Sequence, residues 1–217
     1  MKCADPKLCY TNGTTKILRH FSQASEIFKL RAQTVFNCGT CIFCRKKKAY
    51  ELASRCVLHA SLNKQNCFLT LTYDENKEGY HNVFEYPDIQ NFKKRLLQHI
   101  NTVEYSHART RKLKRRRVEK RFRRTSQIFN VHEYGKNGKK HWHLVVFGYD
   151  FSDKEIHTFK NQIPLYTSKE LEKLWKYGFS TVGSVTEASA MYQAQYMEKD
   201  FKNYNNGTKR KSHSIIS

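Results

Sequence analysis

His141 and His143 flank Trp142 in the run Lys140-His-Trp-His-Leu-Val-Val-Phe-Gly148. The run is apolar and β-type, and side chains alternate faces along a strand. The two imidazoles therefore project from one face and Trp142 from the other. Neutral imidazole is the commonest metal ligand, and two of them at a strand entrance can share a divalent ion. A second constellation follows downstream. Tyr192 and Tyr196 are spaced i, i+4 within Glu187–Asp200, a stretch without Gly or Pro that predicts a helix. Their phenols share one helical face, and Lys199 lies one turn beyond Tyr196. Each motif has a plainer reading, since histidines also fill cores and paired tyrosines often pack inward. Together, in a very basic chain, they are the set that DNA strand cleavage by a tyrosine nucleophile requires.

The charge is explicit: 40 Lys and Arg against 19 Asp and Glu give +21 over 217 residues. Such a field favours a polyanion and binds phosphates without regard to sequence. A membrane surface is the rival partner. A bilayer span needs about 18 consecutive apolar residues, and the sequence has no such run. The N-terminal Met-Lys-Cys-Ala-Asp-Pro has no apolar core of a secretory signal. Nucleic acid is the favoured partner, and a cytoplasmic location is expected. The densest charge is Arg109–Arg124, with eleven basic residues in sixteen. Such runs are commonly solvated faces or loose arms. Because this one directly precedes a predicted active-site strand, Arg109, Arg111, Lys112, Lys114, Arg115, Arg116, Arg117, Arg121, Arg123 and Arg124 are expected to grip the DNA backbone.

Cysteine usage points elsewhere. Seven cysteines is an odd number, and without an export signal a disulfide framework is not expected. Cys38, Cys41 and Cys44 form a CxxCxxC cluster that suits a thiolate zinc site lacking one ligand, for which Cys3 is the first candidate and Cys9 the second. An iron–sulfur centre and unliganded thiols are the competing readings. Cys56 and Cys67 fall on apolar faces and read as small core residues.

Several elements are predicted to carry these groups. Ala49, Leu52, Ala53, Cys56, Val57 and Ala60 recur at helical spacing within a helix from Arg45 to Leu62. Cys67–Tyr73 reads as a strand, and Pro87 opens a helix striped by Ile89, Phe92, Leu96 and Ile100. Gln127–Tyr134 and His141–Tyr149 form a hairpin with Asn137-Gly138 at its tip. Thr167-x-x-Glu170 is a capping box for a helix ending at Gly178, and Phe179–Val185 is a further strand. Residues 1–37 show no strong periodicity. The expected division is a Cys-rich element over 1–62, a core over 63–202 with a basic insertion at 107–125, and a flexible basic tail over 203–217.

The HxH strand, the YxxxY helix and Leu69-Thr-Leu-Thr-Tyr73 resemble the three motifs of HUH endonucleases, which initiate rolling-circle replication. More narrowly, Cys38-Gly-Thr-Cys41-Ile-Phe-Cys44-Arg45, Glu133-Tyr134-Gly135 and Leu174-Trp175-x-x-Gly178-Phe179 resemble replication initiators of gokushovirus-type microviruses, small single-stranded DNA phages. The resemblance runs from about Cys3 to Lys199. It implies an α+β fold, with a central antiparallel sheet, the histidines on a middle strand and the tyrosine helix across the metal face. It also implies both tyrosines as nucleophiles, Lys199 assisting at the phosphate, and Mg²⁺ or Mn²⁺ on His141, His143 and an upstream third ligand. Glu133 matches that ligand. A regular hairpin centred on Asn137-Gly138 would instead set His132 opposite His143, and a one-residue bulge would restore Glu133.

The implied activity nicks single-stranded origin DNA, leaves a 5′-phosphotyrosine and a 3′-hydroxyl, and rejoins the strand inside a bacterial host with help from host helicase and polymerase. The chain departs from the pattern in carrying Asp200 after Lys199. It also ends soon after the tyrosine helix, in keeping with either a full-length phage protein or a shortened prophage copy. A noncatalytic nucleic-acid-binding zinc module, and a relaxase or transposase with the same chemistry, are the alternatives.

Overall fold

In the computed structural model, the described residues are 2–11, 17–18, 33–77, 80, 84–110, 127–135, 138–195 and 215–216. The chain divides into two compact units, Met1–Glu51 and Leu52–Ser217.

The first unit contains β1 (Lys7–Thr11), β2 (Ile17–Leu18) and β3 (Gln33–Phe36), an antiparallel sheet in the order β2-β1-β3. Strands this short leave little periodicity to read, so a region without visible pattern nevertheless pairs. Helix α1 (Ile42–Ser61) begins here, and the unit boundary falls within it.

The second unit is built on one antiparallel sheet. Its strands are β4 (Asn66–Thr72), β5 (Ile128–Tyr134), β6 (Lys140–Phe147), β7 (Glu155–Lys160), β8 (Ile163–Thr167), β9 (Ser180–Gly183) and β10 (Ile215–Ile216), in the order β10-β5-β6-β4-β9-β8-β7. The fold is thus α+β with helices flanking an antiparallel sheet, as expected. β6 lies inside the sheet, paired to β5 on one side and β4 on the other. Its even-numbered residues Trp142, Leu144 and Val146 join Leu69, Leu71 and Val182 in the core. Helix α2 (Tyr86–Thr110) closes that face with Ile89, Phe92, Leu96 and Ile100, all fully buried. Each such side chain contributes roughly 1.5–3 kcal/mol by leaving water, which makes this the rigid face of the sheet.

Tyr73 belongs to the core face. Its hydroxyl accepts from Trp142 Nε1 at 3.0 Å and donates to Asp88 Oδ2 at 2.9 Å. Burial pushes its phenol well above the ordinary tyrosine range. The tyrosine of the Leu69–Tyr73 motif is therefore a structural strut.

Two local predictions are corrected. The helix α3 (Lys169–Leu174) is capped by Ser168, whose Oγ accepts from Leu171 N at 3.1 Å, and not by Thr167. Asp153 decides between the two hydroxyls: its carboxylate accepts from Ser168 Oγ and from the Glu170 N–H. The helix also stops at Leu174, short of Tyr177. In addition, β7 and β8 form an unforeseen hairpin, turned by Asn161 and Gln162, both in the left-handed region. The tail, expected to be loose, contributes β10 beside β5.

Candidate active site

The register of β5 against β6 decides which residue joins the histidines. Gly135 N donates to Lys139 O at 2.8 Å, and Gly138 N donates to Gly135 O at 2.9 Å. The loop is therefore three residues long, finished by Gly138 at φ +77°. An αL glycine at this position is the usual end of a three-residue hairpin loop, and it moves the pairing by one residue relative to a two-residue turn. Glu133 accordingly lies opposite His141, and His132 lies opposite Trp142. His132 is on the core face, its ring against Trp142 and Phe84.

On the other face, the His141 and His143 rings stand 6.3 Å apart and nearly parallel. The adjacent strand positions them. Thr72 pairs with His141 and Thr70 with His143, and each threonine Oγ1 reaches the Nδ1 of its partner, at 2.9 and 3.2 Å. Nδ1–H donating to a hydroxyl leaves Nε2 as the lone-pair nitrogen, the tautomer a metal-ligating imidazole needs. Burial, and then the neighbouring His143, hold His141 below the ordinary imidazole value, so it is neutral at neutral pH. Gly135 makes room for its ring: a Cβ there would stand 2.8 Å from His141 Nε2.

Glu133 ties the groups together. Its Oε1 is 3.0 Å from His143 Nε2 and accepts from the Tyr192 hydroxyl at 3.2 Å. The carboxylate and the imidazole are largely buried, while Tyr192 is 38% exposed. The Tyr192 ring meets His143 edge-on at 5.5 Å. The helix carrying it, α4, is described over 187–195. Thr186 and Ser189 cap it reciprocally, side-chain hydroxyl to backbone N–H, at 3.1 and 2.8 Å. Gln193 then fastens the helix to the sheet: its buried Nε2 donates to Phe129 O and His143 O, both at 3.0 Å. Ala190 and Ala194 are fully buried, and these small side chains permit the close approach.

A cleft of about 390 Å³ opens in front of these groups, lined by Glu133, His141, His143 and Tyr192 on one side. On its other side the β7–β8 turn contributes Lys160 and Asn161, with Lys160 Nζ 5.8 Å from the centre of the Tyr192 ring. Thr70, Thr72, Gln193 and Lys160 were not anticipated. Register and buried polar anchoring leave little trace in one sequence, and Lys160 is one basic residue among many.

Tyr196, Lys199 and residues 111–124 lie outside the described residues, as does the Arg109 side chain at the end of α2. In the first unit, the sulfurs of Cys3, Cys38, Cys41 and Cys44 all lie within 4.8 Å of one another. Among the described residues these thiols alone form so closed a set of three or more donors. Cys56 and Cys67 are buried and do not belong to the set, and burial pushes the Cys56 thiol up to about 11.

A family model for the replication-associated protein ORF2 matches residues 66–201, more than half of the chain. The chain belongs to that family. The membership bears out the resemblance to microvirus replication proteins read from the motifs. Replication-associated protein ORF4 of Chlamydia phage 1 is 31% identical over 76% of this chain and 38% of its own length. Replication-associated protein VP4 of Bdellovibrio phage phiMH2K is 31% identical over 92% of this chain and 58% of its own. Replication-associated protein ORF2 of Spiroplasma virus 4 is 30% identical over 75% and 47%. The chain thus spans between about two fifths and three fifths of these relatives' lengths. No solved structure matches it. The region shared with the family runs from β4 through the tyrosine helix and leaves the four clustered cysteines outside. No described helix is long and apolar enough to cross a membrane.

Proposed function

We propose that this family member is a replication initiator that nicks single-stranded origin DNA through a tyrosine and later rejoins it. The observation that carries the reading is the shared oxygen: Glu133 Oε1 meets both His143 Nε2 and the Tyr192 hydroxyl. A nucleophile and a donor set that suits a divalent ion thus meet at one carboxylate, on the wall of an open cleft.

The donor set fits such an ion by its chemistry: two imidazoles with Nδ1 engaged by threonines and one carboxylate, a mixture suited to Mg²⁺ or Mn²⁺ through its oxygen and to transition ions through its nitrogens. Bound at Glu133, His141 and His143, the ion supplies charge neutralisation and polarisation of the phosphoryl oxygen. The chain's own groups do the rest. Tyr192 Oη attacks the scissile phosphorus, the P–O3′ bond breaks, and a tyrosine O–P bond forms. The phenol proton leaves toward Glu133, to which the hydroxyl already donates, and the departing 3′-oxygen takes up a proton. A free phenol ionises only near pH 10, so this contact matters at neutral pH. Tyr196 provides the second nucleophile, so one tyrosine retains the parental 5′ end while the other attacks the regenerated origin. Lys199 and Lys160 offset charge at the phosphate, and the basic segment 109–124 follows the backbone. The products are a 5′-phosphotyrosine, which stores the bond energy for rejoining, and a 3′-hydroxyl for a host polymerase working behind a host helicase.

The test is a covalent adduct. The protein is incubated with single-stranded DNA from the origin of the phage that encodes it, with Mg²⁺ or Mn²⁺, and resolved on a denaturing gel. Adduct is expected with wild type, with altered yield in Tyr192→Phe and Tyr196→Phe, and none in the double variant. Tight binding without adduct under either metal would hand the case to a noncatalytic DNA-binding module.

A further inference from the structure

We propose that Cys3, Cys38, Cys41 and Cys44 form a mononuclear structural zinc site that holds the first unit together. Four sulfurs bound at about 2.3 Å to one central ion sit about 3.8 Å from one another. Here Cys38 and Cys44 are 3.9 Å apart, Cys41 and Cys3 3.9 Å, and Cys44 and Cys3 3.5 Å. Those separations far exceed a disulfide bond of about 2.05 Å, and Cys3 is close to two different partners instead of one. They also bring the sulfurs around a point that one ion fills, too tight for a multi-iron cluster to sit between them.

The backbone around the thiols independently suits thiolates. Cys38 N–H donates to Cys3 Sγ, and Cys41 N–H to Cys38 Sγ, both at 3.3 Å. N–H groups turned toward sulfur stabilise negative charge there and fix the ligands' orientation. Helix α1 contributes two of the thiols from its beginning: Arg45 N bonds to Cys41 O in the first turn, and Cys44 is buried one turn in.

The first unit also needs such a staple. None of the main hydrophobic core lies in Met1–Glu51, and among its described residues Cys44 and Ala49 are the buried apolar ones. Its strands have five, two and four residues. A unit near 50 residues with so little apolar burial commonly relies on metals or disulfides. Zinc ties Cys3, just before β1, to Cys38, just after β3, and so closes the chain around the small sheet. All four positions are taken by protein, which leaves none for substrate and makes the site structural.

The full chain, purified without chelator, is expected to carry one zinc per molecule by elemental analysis. Titrating its thiols with a mercurial reagent should release that zinc. The refolded apo chain should bind Co²⁺ with the intense near-ultraviolet sulfur-to-cobalt absorption of a tetrahedral thiolate site. Cys38→Ser and Cys44→Ser should lower zinc affinity at least tenfold, whereas Cys56→Ala and His143→Ala keep full zinc. The Co²⁺ and mercurial readouts use the unsubstituted chain, so they stand even if a cysteine variant misfolds. Stoichiometric iron, absence of the cobalt–thiolate bands, or full zinc retained in Cys44→Ser would overturn the assignment. None of these outcomes depends on DNA nicking.

Discussion

The thiols of the first unit and the histidines of the second are both donor sets, built in opposite ways. Cys3, Cys38, Cys41 and Cys44 converge until every sulfur lies within 4.8 Å of the others. His141, His143 and Glu133 line one wall of a cleft, with the remaining directions open and the Tyr192 hydroxyl at the edge. Closed, four-ligand geometry suits a permanent ion, and three ligands facing a cavity leave positions for a substrate. Their supports differ as well. Backbone N–H groups hold the sulfurs, which fixes them as the chain folds. Side chains of a neighbouring strand hold the imidazoles, which can be altered singly without touching the backbone.

The largest effect that separates the two sites is His143→Ala. It removes a donor and the imidazole that shares Glu133 with Tyr192. Loss of even an outer partner of a metal ligand costs 10–100-fold, so adduct formation should fall by more than about 100-fold. Zinc content should stay at one per chain. Parallel measurement of adduct yield and bound zinc checks this, and loss of both together would show that the sites are not independent.

Thr72→Val comes next. It is nearly isosteric and leaves His141 without its Nδ1 partner, so the Mn²⁺ concentration for half-maximal nicking should rise roughly 10–100-fold. Thr72→Ser should restore the wild-type value. A valine variant with unchanged Mn²⁺ dependence would mean that the hydroxyl does not orient the ring. Gly135→Ala should act more mildly. The added methyl would press on His141 Nε2, and a side-chain ring can swing aside where backbone cannot. A rise of about tenfold in the Mn²⁺ requirement, with an unchanged melting temperature, is the expected pattern, comparable with the loss of an orienting partner.

These support residues mark where the sequence ran out. The common face of His141 and His143 follows from strand alternation alone, and the stripe of Ile89, Phe92, Leu96 and Ile100 from helical spacing. Glu133 against His132 was a fork, because one residue in the loop exchanges the two faces of β5. Gly138 in the left-handed region settled it. Thr70 and Thr72 could be placed on a strand but not beside the histidines, since the pairing of β4 with β6 joins segments some seventy residues apart. The β7–β8 hairpin was illegible for another reason. Every residue of β7 is exposed, so no alternation betrays it, and its Asn161-Gln162 turn has no glycine.

Lys160, at that turn, gives the smallest and most diagnostic effect. Its ammonium is 5.8 Å from the Tyr192 ring, within the range of a cation–π contact, and it is exposed. Exposed contacts of this kind are worth about 0.5–1 kcal/mol, so Lys160→Ala should slow adduct formation roughly two- to fivefold. The cause can be read from salt. Screening at 1 M shortens the Debye length to about 3 Å, so a charge acting through solvent on the phosphate or phenol loses its influence. The difference between wild type and Lys160→Ala should therefore shrink as salt rises, and Lys160→Arg should behave like wild type. A gap that persists undiminished at high salt would assign the residue to packing of the hairpin. Open walls would then owe their charge to other residues, whereas the closed thiol site should remain indifferent to salt throughout.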